Sequence, residues 1–392
     1  MRLLAILSMS VLLGACVTAP VAPRTEHLFH DHLFPPPQQR ISSDDVFAIS
    51  DEMRRFLNAD VSANLRAEGP QRVLVDALYG KGRLRLEYDS VATRNASQAF
   101  AAKSGNCLSL VIMTAAFARE LGLSVRYQSV YVDDTWSRSG DLYFSSGHVN
   151  LTLARDDAGL RLAHGGGDLV TIDFLSPEET RRQRARVIRE ETIVAMYMNN
   201  RAAESLARGQ LDDAYWWARE AMRQDPRFLS AYNTLGVIYR RHGNLPEAGR
   251  ILEQVLEREP GNTYAMSNLA LVLNLLGRVE EATLLARRLD QVQPYPPFHF
   301  FNLGVTAMRS GDFAAARDLF KQEVDRASYY HEFHFWLAMA SLRLGQTDQA
   351  REHLAKALEN STTRTDHDLY AAKLERIRSH FPSSHQGTPL EP

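Results

Sequence analysis

Residues 105–130 read GNCLSLVIMTAAFARELGLSVRYQSV, and this stretch decides how the first half of the chain is organised. From Cys107 to Leu121 the apolar residues Leu108, Val111, Ile112 and Ala115 recur at helical spacing. Gly122 is a natural stop, because glycine accepts the left-handed backbone that ends many helices. The residues that follow, VRYQSVYV over 125–132, are rich in β-branched and aromatic side chains and predict a strand. Cys107 therefore sits at or next to a helix N-terminus, where unpaired amides and the helix dipole favour a thiolate. It follows Gly105-Asn106 rather than lying within an apolar stripe, which sets it apart from an ordinary core cysteine.

Two further strands are legible downstream. In GHVNLTLA (147–154) Val149, Leu151 and Leu153 share one face, which leaves His148, Asn150 and Thr152 on the other. In LVTIDF (169–174) Val170, Ile172 and Phe174 share a face and Asp173 lies opposite. His148 and Asp173 thus occupy the polar parity of their strands, where adjacent strands would pair them. An imidazole oriented by a carboxylate accepts a thiol proton and stabilises the imidazolium that results. Rivals are His164 in AHGGGD and Asp168 beside it. Candidates for stabilising an oxyanion are the amide of Cys107 and the side chain of Gln98 or Asn106. Upstream, Ser42-Ser43 before DDVFAISDEMRRFL predicts an N-capped amphipathic helix.

Cysteine at a helix start, then histidine and aspartate on successive strands, resembles the transglutaminase-like, papain-related fold over roughly residues 70–180. The resemblance implies an α+β domain over 43–190 with Cys107 as nucleophile, His148 as base and Asp173 as its orienting carboxylate. It departs from the family in having Val149 after the histidine and Thr171-Ile172 before the aspartate, where the family often has an aromatic residue and a Trp. The implied chemistry is a thioester formed from an amide or ester carbonyl, resolved by water or by an amine. Peptidase, amidase and acyltransferase share this apparatus, and no cofactor or metal is expected.

The second half repeats itself. Gly209, Gly243, Gly277, Gly311 and Gly345 are spaced by 34 residues, as are Ala214, Ala248, Ala282, Ala316 and Ala350. Pro226, Pro260 and Pro294 keep the same interval, with small residues at 202, 236, 270, 304 and 338. This pattern resembles the tetratricopeptide repeat (TPR), a pair of helices per unit stacked into an all-α solenoid. Five units fit 195–228, 229–262, 263–296, 297–330 and 331–364. The first is atypical, with Met198, Arg201 and Ser205 where the pattern has Trp, Leu and Tyr. A capping helix is predicted over 365–381, then a loose tail over 382–392. The resemblance implies a concave groove that binds a protein or peptide partner. Its positions here are Asn233, Arg240 and Arg241 in repeat two, and Phe298, Phe301, Met308, Arg309, Phe335, Met339 and Arg343 in repeats four and five.

At the other end, MRLLAILSMSVLLGAC has Arg2, an apolar run over 3–13 and the small residues Gly14-Ala15 before Cys16. The run is too short for a spanning helix and reads as a secretory signal. Leu13-Gly14-Ala15-Cys16 resembles the bacterial lipobox, which implies a signal peptide over 1–15 and lipid on Cys16. Val17 at the position where Asp would signal inner-membrane retention implies an outer-membrane anchor facing the periplasm. Residues 17–42 carry Pro20, Pro23 and Pro35-Pro36-Pro37 and read as an extended tether, on which His27, His30 and His32 have no fixed geometry for a metal. With Cys16 lipidated, Cys107 has no thiol partner in its own chain. The 392 residues suit two or three domains at about 150 each. Lys plus Arg number 45 against 47 Asp plus Glu, so no basic excess exists for broad capture of nucleic acid. Two functions remain: a thiol acyl-enzyme with a recruiting repeat array, or a non-catalytic envelope scaffold built on an inactive fold of the same kind.

Overall fold

The structure is a computed structural model that describes residues 23–61, 69–80, 84, 86–89, 92–139, 142–161, 169–174 and 184–380. Cys16, the signal segment, His164, Asp168 and the tail lie outside the described residues. The chain order is α1 (Asp51–Phe56), α2 (Pro70–Tyr79), β1 (Glu87–Tyr88), α3 (Ala96–Ala102), β2 (Ser104–Gly105), α4 (Cys107–Glu120), β3 (Ser124–Ser139), β4 (Leu142–Ala154), α5 (Asp157–Arg161), β5 (Val170–Ile172) and β6 (Ala185–Ile188). Then come the paired helices α6 (Glu190–Ala207), α7 (Leu211–Gln224), α8 (Leu229–His242), α9 (Leu245–Arg258), α10 (Thr263–Leu275), α11 (Val279–Val292), α12 (His299–Ser310), α13 (Phe313–Arg326), α14 (His331–Arg343) and α15 (Thr347–Glu359). The single helix α16 (Arg364–His380) follows them. Among the described residues no helix is long and apolar enough to cross a membrane.

In the first half, α4 packs on an antiparallel sheet of order β5-β4-β3-β6. α4 is buried almost all round, from Leu108 to Ala118, because helix α6 covers it as well. The predicted helix from Asp44 starts later than expected. Ser50, not Ser43, accepts the Met53 N–H at 3.3 Å, since the Val46 carbonyl is held by the Ala96 N–H at 3.0 Å and keeps residues 44–50 out of helix. Strand β6 directly precedes α6. Its Ala185–Ile188 pairs with Tyr127–Val130 of β3.

The segment expected to be an extended tether is docked on the repeats. Leu28 and Phe34 are buried, and Phe34 stacks on Tyr215 with ring centroids 3.9 Å apart. The Asp31 carboxylate accepts from the Tyr215 hydroxyl at 2.6 Å and pairs with Arg219 at 2.8 Å, while the Trp216 indole donates to the Pro35 carbonyl at 2.6 Å. Of the tether histidines, His30 packs on Tyr239 and His27 meets Gln254. The stretch forms two short 3-10 helices, Glu26–Leu28 and Asp31–Leu33, and its apolar side chains draw it onto an aromatic surface.

Repeats one to three share one core with the sheet domain, whereas repeats four and five build separate ones. Helices of neighbouring repeats stack closely at α7–α8, α9–α10 and α13–α14, and much less at α11–α12. The array is loosest there. Pro294-Tyr295-Pro296-Pro297 cannot continue a helix, and Phe298 adopts a left-handed backbone (φ 63°) that turns the chain. Leu275 (60% exposed) and Leu284 (70% exposed) are left uncovered on the near side of the break.

Close helix contact inside a repeat depends on residues without a Cβ. A Cβ at Gly304 would lie 2.6 Å from the Phe320 ring, whereas one at Gly261 would meet nothing within 4 Å. Gly304→Ala should therefore cost about 1–3 kcal/mol by forcing a buried ring aside. Gly261→Ala should change little. Urea unfolding of the two variants, with equal losses, would refute this packing.

Candidate active site

The helix that carries Cys107 starts where it does because Asn106 caps it. Asn106 Oδ1 accepts the Ser109 N–H at 2.9 Å and the Ser109 hydroxyl at 2.8 Å. Gly105 allows the tight approach that follows, since a Cβ there would lie 2.7 Å from that of Ser109. The other end of the Asn106 amide donates to the hydroxyl of buried Thr93 at 3.0 Å. Thr93 is in turn held by the first repeat. Its N–H donates to Glu204 Oε1 at 2.6 Å, its hydroxyl accepts from Asn200 at 3.2 Å and its carbonyl from Arg201 at 3.4 Å. Burial raises the Glu204 carboxyl above the usual range, while its bonds to Thr93 and the Arg201 charge work against that rise.

Both side chains expected to stabilise an oxyanion are committed elsewhere. Asn106 is used at both ends. The exposed Gln98 turns back on α3, its Oε1 accepting the Asn95 N–H at 3.2 Å in a reciprocal cap. The amides of Cys107 and Leu108 are in the first turn of α4 and have no carbonyl within the helix to donate to.

His148 and Asp173 come together. His148 Nε2 donates to Asp173 Oδ1 at 2.6 Å, and Asn150 Nδ2 donates to Asp173 Oδ2 at 2.7 Å. A carboxylate only accepts, so the Asn150 nitrogen must face it. The ladder explains the meeting. Leu151 is paired with Ile172, which puts Asn150 across from Asp173 and His148 on the diagonal. His148 is 4% exposed, so the polar row of β4 is as buried as the apolar one. Burial opposes the imidazolium, but hydrogen bonds to Asp173 and Cys107, with charge attraction from both, overcome it and raise the His148 pKa from 6.5 to about 9. With Nε2 on the carboxylate, Nδ1 is the ring atom left for the thiol. The Cys107 sulfur, half-buried, also lies 4.0 Å from the Gly147 carbonyl. Sequence reasoning missed Asn150, Thr93 and Glu204. The alternation of β4 had already placed Asn150 in the polar row, but nothing marked the other two. Among the described residues no group of His, Cys, Asp and Glu comes together to hold a metal ion.

The groove positions divide into several environments. Phe298 and Phe301, expected to face a partner, are each 1% exposed and belong to the core between repeats four and five. They are buried because Phe320, Tyr330 and Phe333 close over them. Phe335 stacks on Tyr370 of α16 at 5.0 Å, and Met339 packs in the same cluster, so both serve the cap. Arg343 lies over Phe313 at 4.0 Å, and Asn233 accepts from Asn268 at 3.0 Å. Arg240 and Arg241 occupy the last turn of α8. Met308 and Arg309 line an open cavity of about 590 Å³.

A raised folded pKa means that the folded protein holds the His148 proton more tightly than the unfolded chain. The stability contributed by the pair is therefore fully present below about 6.5 and is lost as pH rises through about 9. Titration of the imidazole by NMR should show the raised value, and Asp173→Asn should lower it and flatten the fall in unfolding midpoint across that window. An unchanged titration in the variant would contradict the pairing.

Profile comparison matches the transglutaminase-like superfamily over residues 59–158 and the tetratricopeptide repeat over 233–296 and 301–364. Among curated proteins the chain is 28% identical over 155 residues to the TPR repeat-containing protein YvcD of Bacillus subtilis (strain 168), covering 38% of this chain and 31% of that protein. The chain thus spans about a third of the length of the curated relative it matches. Among solved structures it is similar to TTC0263, a thermophilic TPR protein of Thermus thermophilus (21% identity, TM-score 0.32, 46% of this chain and 99% of that one). It is also similar to YrrB, described as a TPR protein with an unusual peptide-binding site (20% identity, TM-score 0.25, 46% of this chain and 92% of that one). The chain carries a transglutaminase-like domain near its N-terminus, followed by a helical array of tetratricopeptide repeats.

Proposed function

We propose that the protein is a thiol acyl-enzyme whose repeats recruit a protein or peptide partner. The observation that carries this reading is the buried His148–Asp173 pair at 2.6 Å with Cys107 as the other partner of the imidazole. The Cys107 sulfur attacks an amide or ester carbonyl, and the developing oxyanion takes hydrogen bonds from the first-turn amides of α4. Collapse breaks the bond to the leaving amine or alcohol, which takes its proton from the His148 imidazolium. The resulting thioester is attacked by water or by a second amine, with neutral His148 accepting the proton. Asp173, fixed by Asn150, holds the ring in the tautomer this sequence needs.

We place the enzyme on the periplasmic side of the outer membrane, anchored through lipid on Cys16. The lipobox-like Leu13-Gly14-Ala15-Cys16 supports this.

An electrophilic thiol probe should label the wild type and not Cys107→Ala, while His148→Ala should slow labelling by about 10²-fold or more. Labelling that is equal with and without His148 would leave the scaffold reading in its place. Metabolic labelling with a fatty-acid analogue should mark the wild type and not Cys16→Ser, and acylation of that variant would remove the anchor.

A further inference from the structure

The long β3–β4 hairpin reaches from the catalytic sheet into the repeats. Its guanidinium at Arg138 forks onto Glu332, with Nε donating to Oε2 at 2.8 Å and a terminal nitrogen on Oε1, and lies 4.5 Å above the Phe301 ring centre. The Trp136 ring meets Tyr264 at 5.2 Å, and its backbone N–H donates to the Tyr329 hydroxyl at 3.0 Å. On the returning strand, Tyr143 packs on Phe298 at 5.1 Å and accepts from Asn302 at 3.3 Å. The hairpin thus touches repeat three through Tyr264 and repeats four and five through the rest, across the junction where the repeats themselves stack least.

A carboxylate and an aromatic face set one guanidinium apart form a slot that only an arginine fills on both counts. The hairpin supplies that arginine but leaves the neighbouring cavity of about 590 Å³ empty, between Val305, Met308, Arg309 and Trp336. We infer that this groove recognises an extended segment of a partner protein carrying an arginine with a large apolar side chain close by, and that the hairpin holds the place until such a segment displaces it. The arginine takes Glu332 and Phe301, and the apolar side chain enters the cavity. The hairpin competes at an effective concentration on the order of millimolar because it is attached. The partner wins through the cavity, since burying one large side chain is worth roughly ten- to a hundredfold in affinity.

Displacement reaches the thiol along one strand. Tyr143 and His148 both lie on β4, and the pairing of Ser146 with Thr135 directly precedes Gly147, whose carbonyl faces Cys107. The inference rests on the reading of the repeats as a partner-binding surface and is independent of whether Cys107 turns over a substrate.

The test uses the full chain and a fluorescent peptide of its own residues 131–144, YVDDTWSRSGDLYF. Trp136→Ala with Arg138→Ala frees the slot, so this variant should bind the peptide at least about tenfold more tightly than the wild type. Adding Glu332→Gln should remove about tenfold of that gain, and so should the peptide lacking its arginine. Should the double variant not fold, Arg138→Lys, which keeps the charge and loses the fork, should give an intermediate gain. Binding no better than wild type in a folded variant, or dimerisation of the variant in place of peptide binding, would overturn the inference. Alkylation of Cys107 is followed in the same samples, and the double variant, whose hairpin is already released, should react at a rate several-fold different from the wild type before peptide is added. A folded double variant that alkylates at the wild-type rate overturns the link to the thiol. Failed binding with normal, His148-dependent alkylation removes the gate and leaves the acyl-enzyme reading standing.

Discussion

Thr93 is the point at which the two halves of the molecule are tied. Its amide, hydroxyl and carbonyl are all taken, by Glu204, Asn200 and Arg201 from the first repeat and by Asn106 from the cap of the cysteine helix. A buried polar group left without a partner costs on the order of 1–3 kcal/mol, so each bond discourages any sliding of α6 over α4. The start of α4, and with it the sulfur of Cys107, is positioned by a helix that belongs to the repeat array. The domain border is therefore not a linker. A cut between residues 190 and 195 would fall inside α6 and expose the apolar side that Ile193, Tyr197 and Met198 bury against the sheet domain.

This tie also accounts for the odd composition of the first repeat. Met198, Arg201 and Ser205 stand where the repeat pattern has Trp, Leu and Tyr. Met198 is fully buried in the core shared with the transglutaminase-like domain, Arg201 reaches the Thr93 carbonyl, and Ser205 is buried and accepts from Arg208. These residues have left the repeat consensus because the surface they face is a sheet domain and not another repeat.

The second connection, through the hairpin, is of a different kind. The contact at Thr93 is buried and lies within a common core, whereas the hairpin contacts an array whose stacking is weakest after α11. The transglutaminase-like domain is joined to repeat one through a shared core and to repeats four and five through the hairpin alone.

The sequence by itself determined the local features. Helical spacing after Cys107, strand alternation around His148 and Asp173, and the 34-residue period are all set by near neighbours in the chain, and the helices and strands lie close to where those signals put them. Parity even placed Asn150 in the row that meets Asp173, since a strand fixes the face of every second residue. Tertiary structure alone decided which side chains were free. Gln98 and Asn106 have the right chemistry for an oxyanion but are consumed by helix caps, and Phe298 and Phe301 occupy groove positions but are enclosed by rings from their own and the next repeat. The docking of residues 26–38 and the reach of the hairpin join residues far apart in the chain, as in Arg138 with Glu332 or Asp31 with Tyr215. No periodicity carries such information, because contacts between distant segments depend on how whole elements pack and not on the spacing within any one of them.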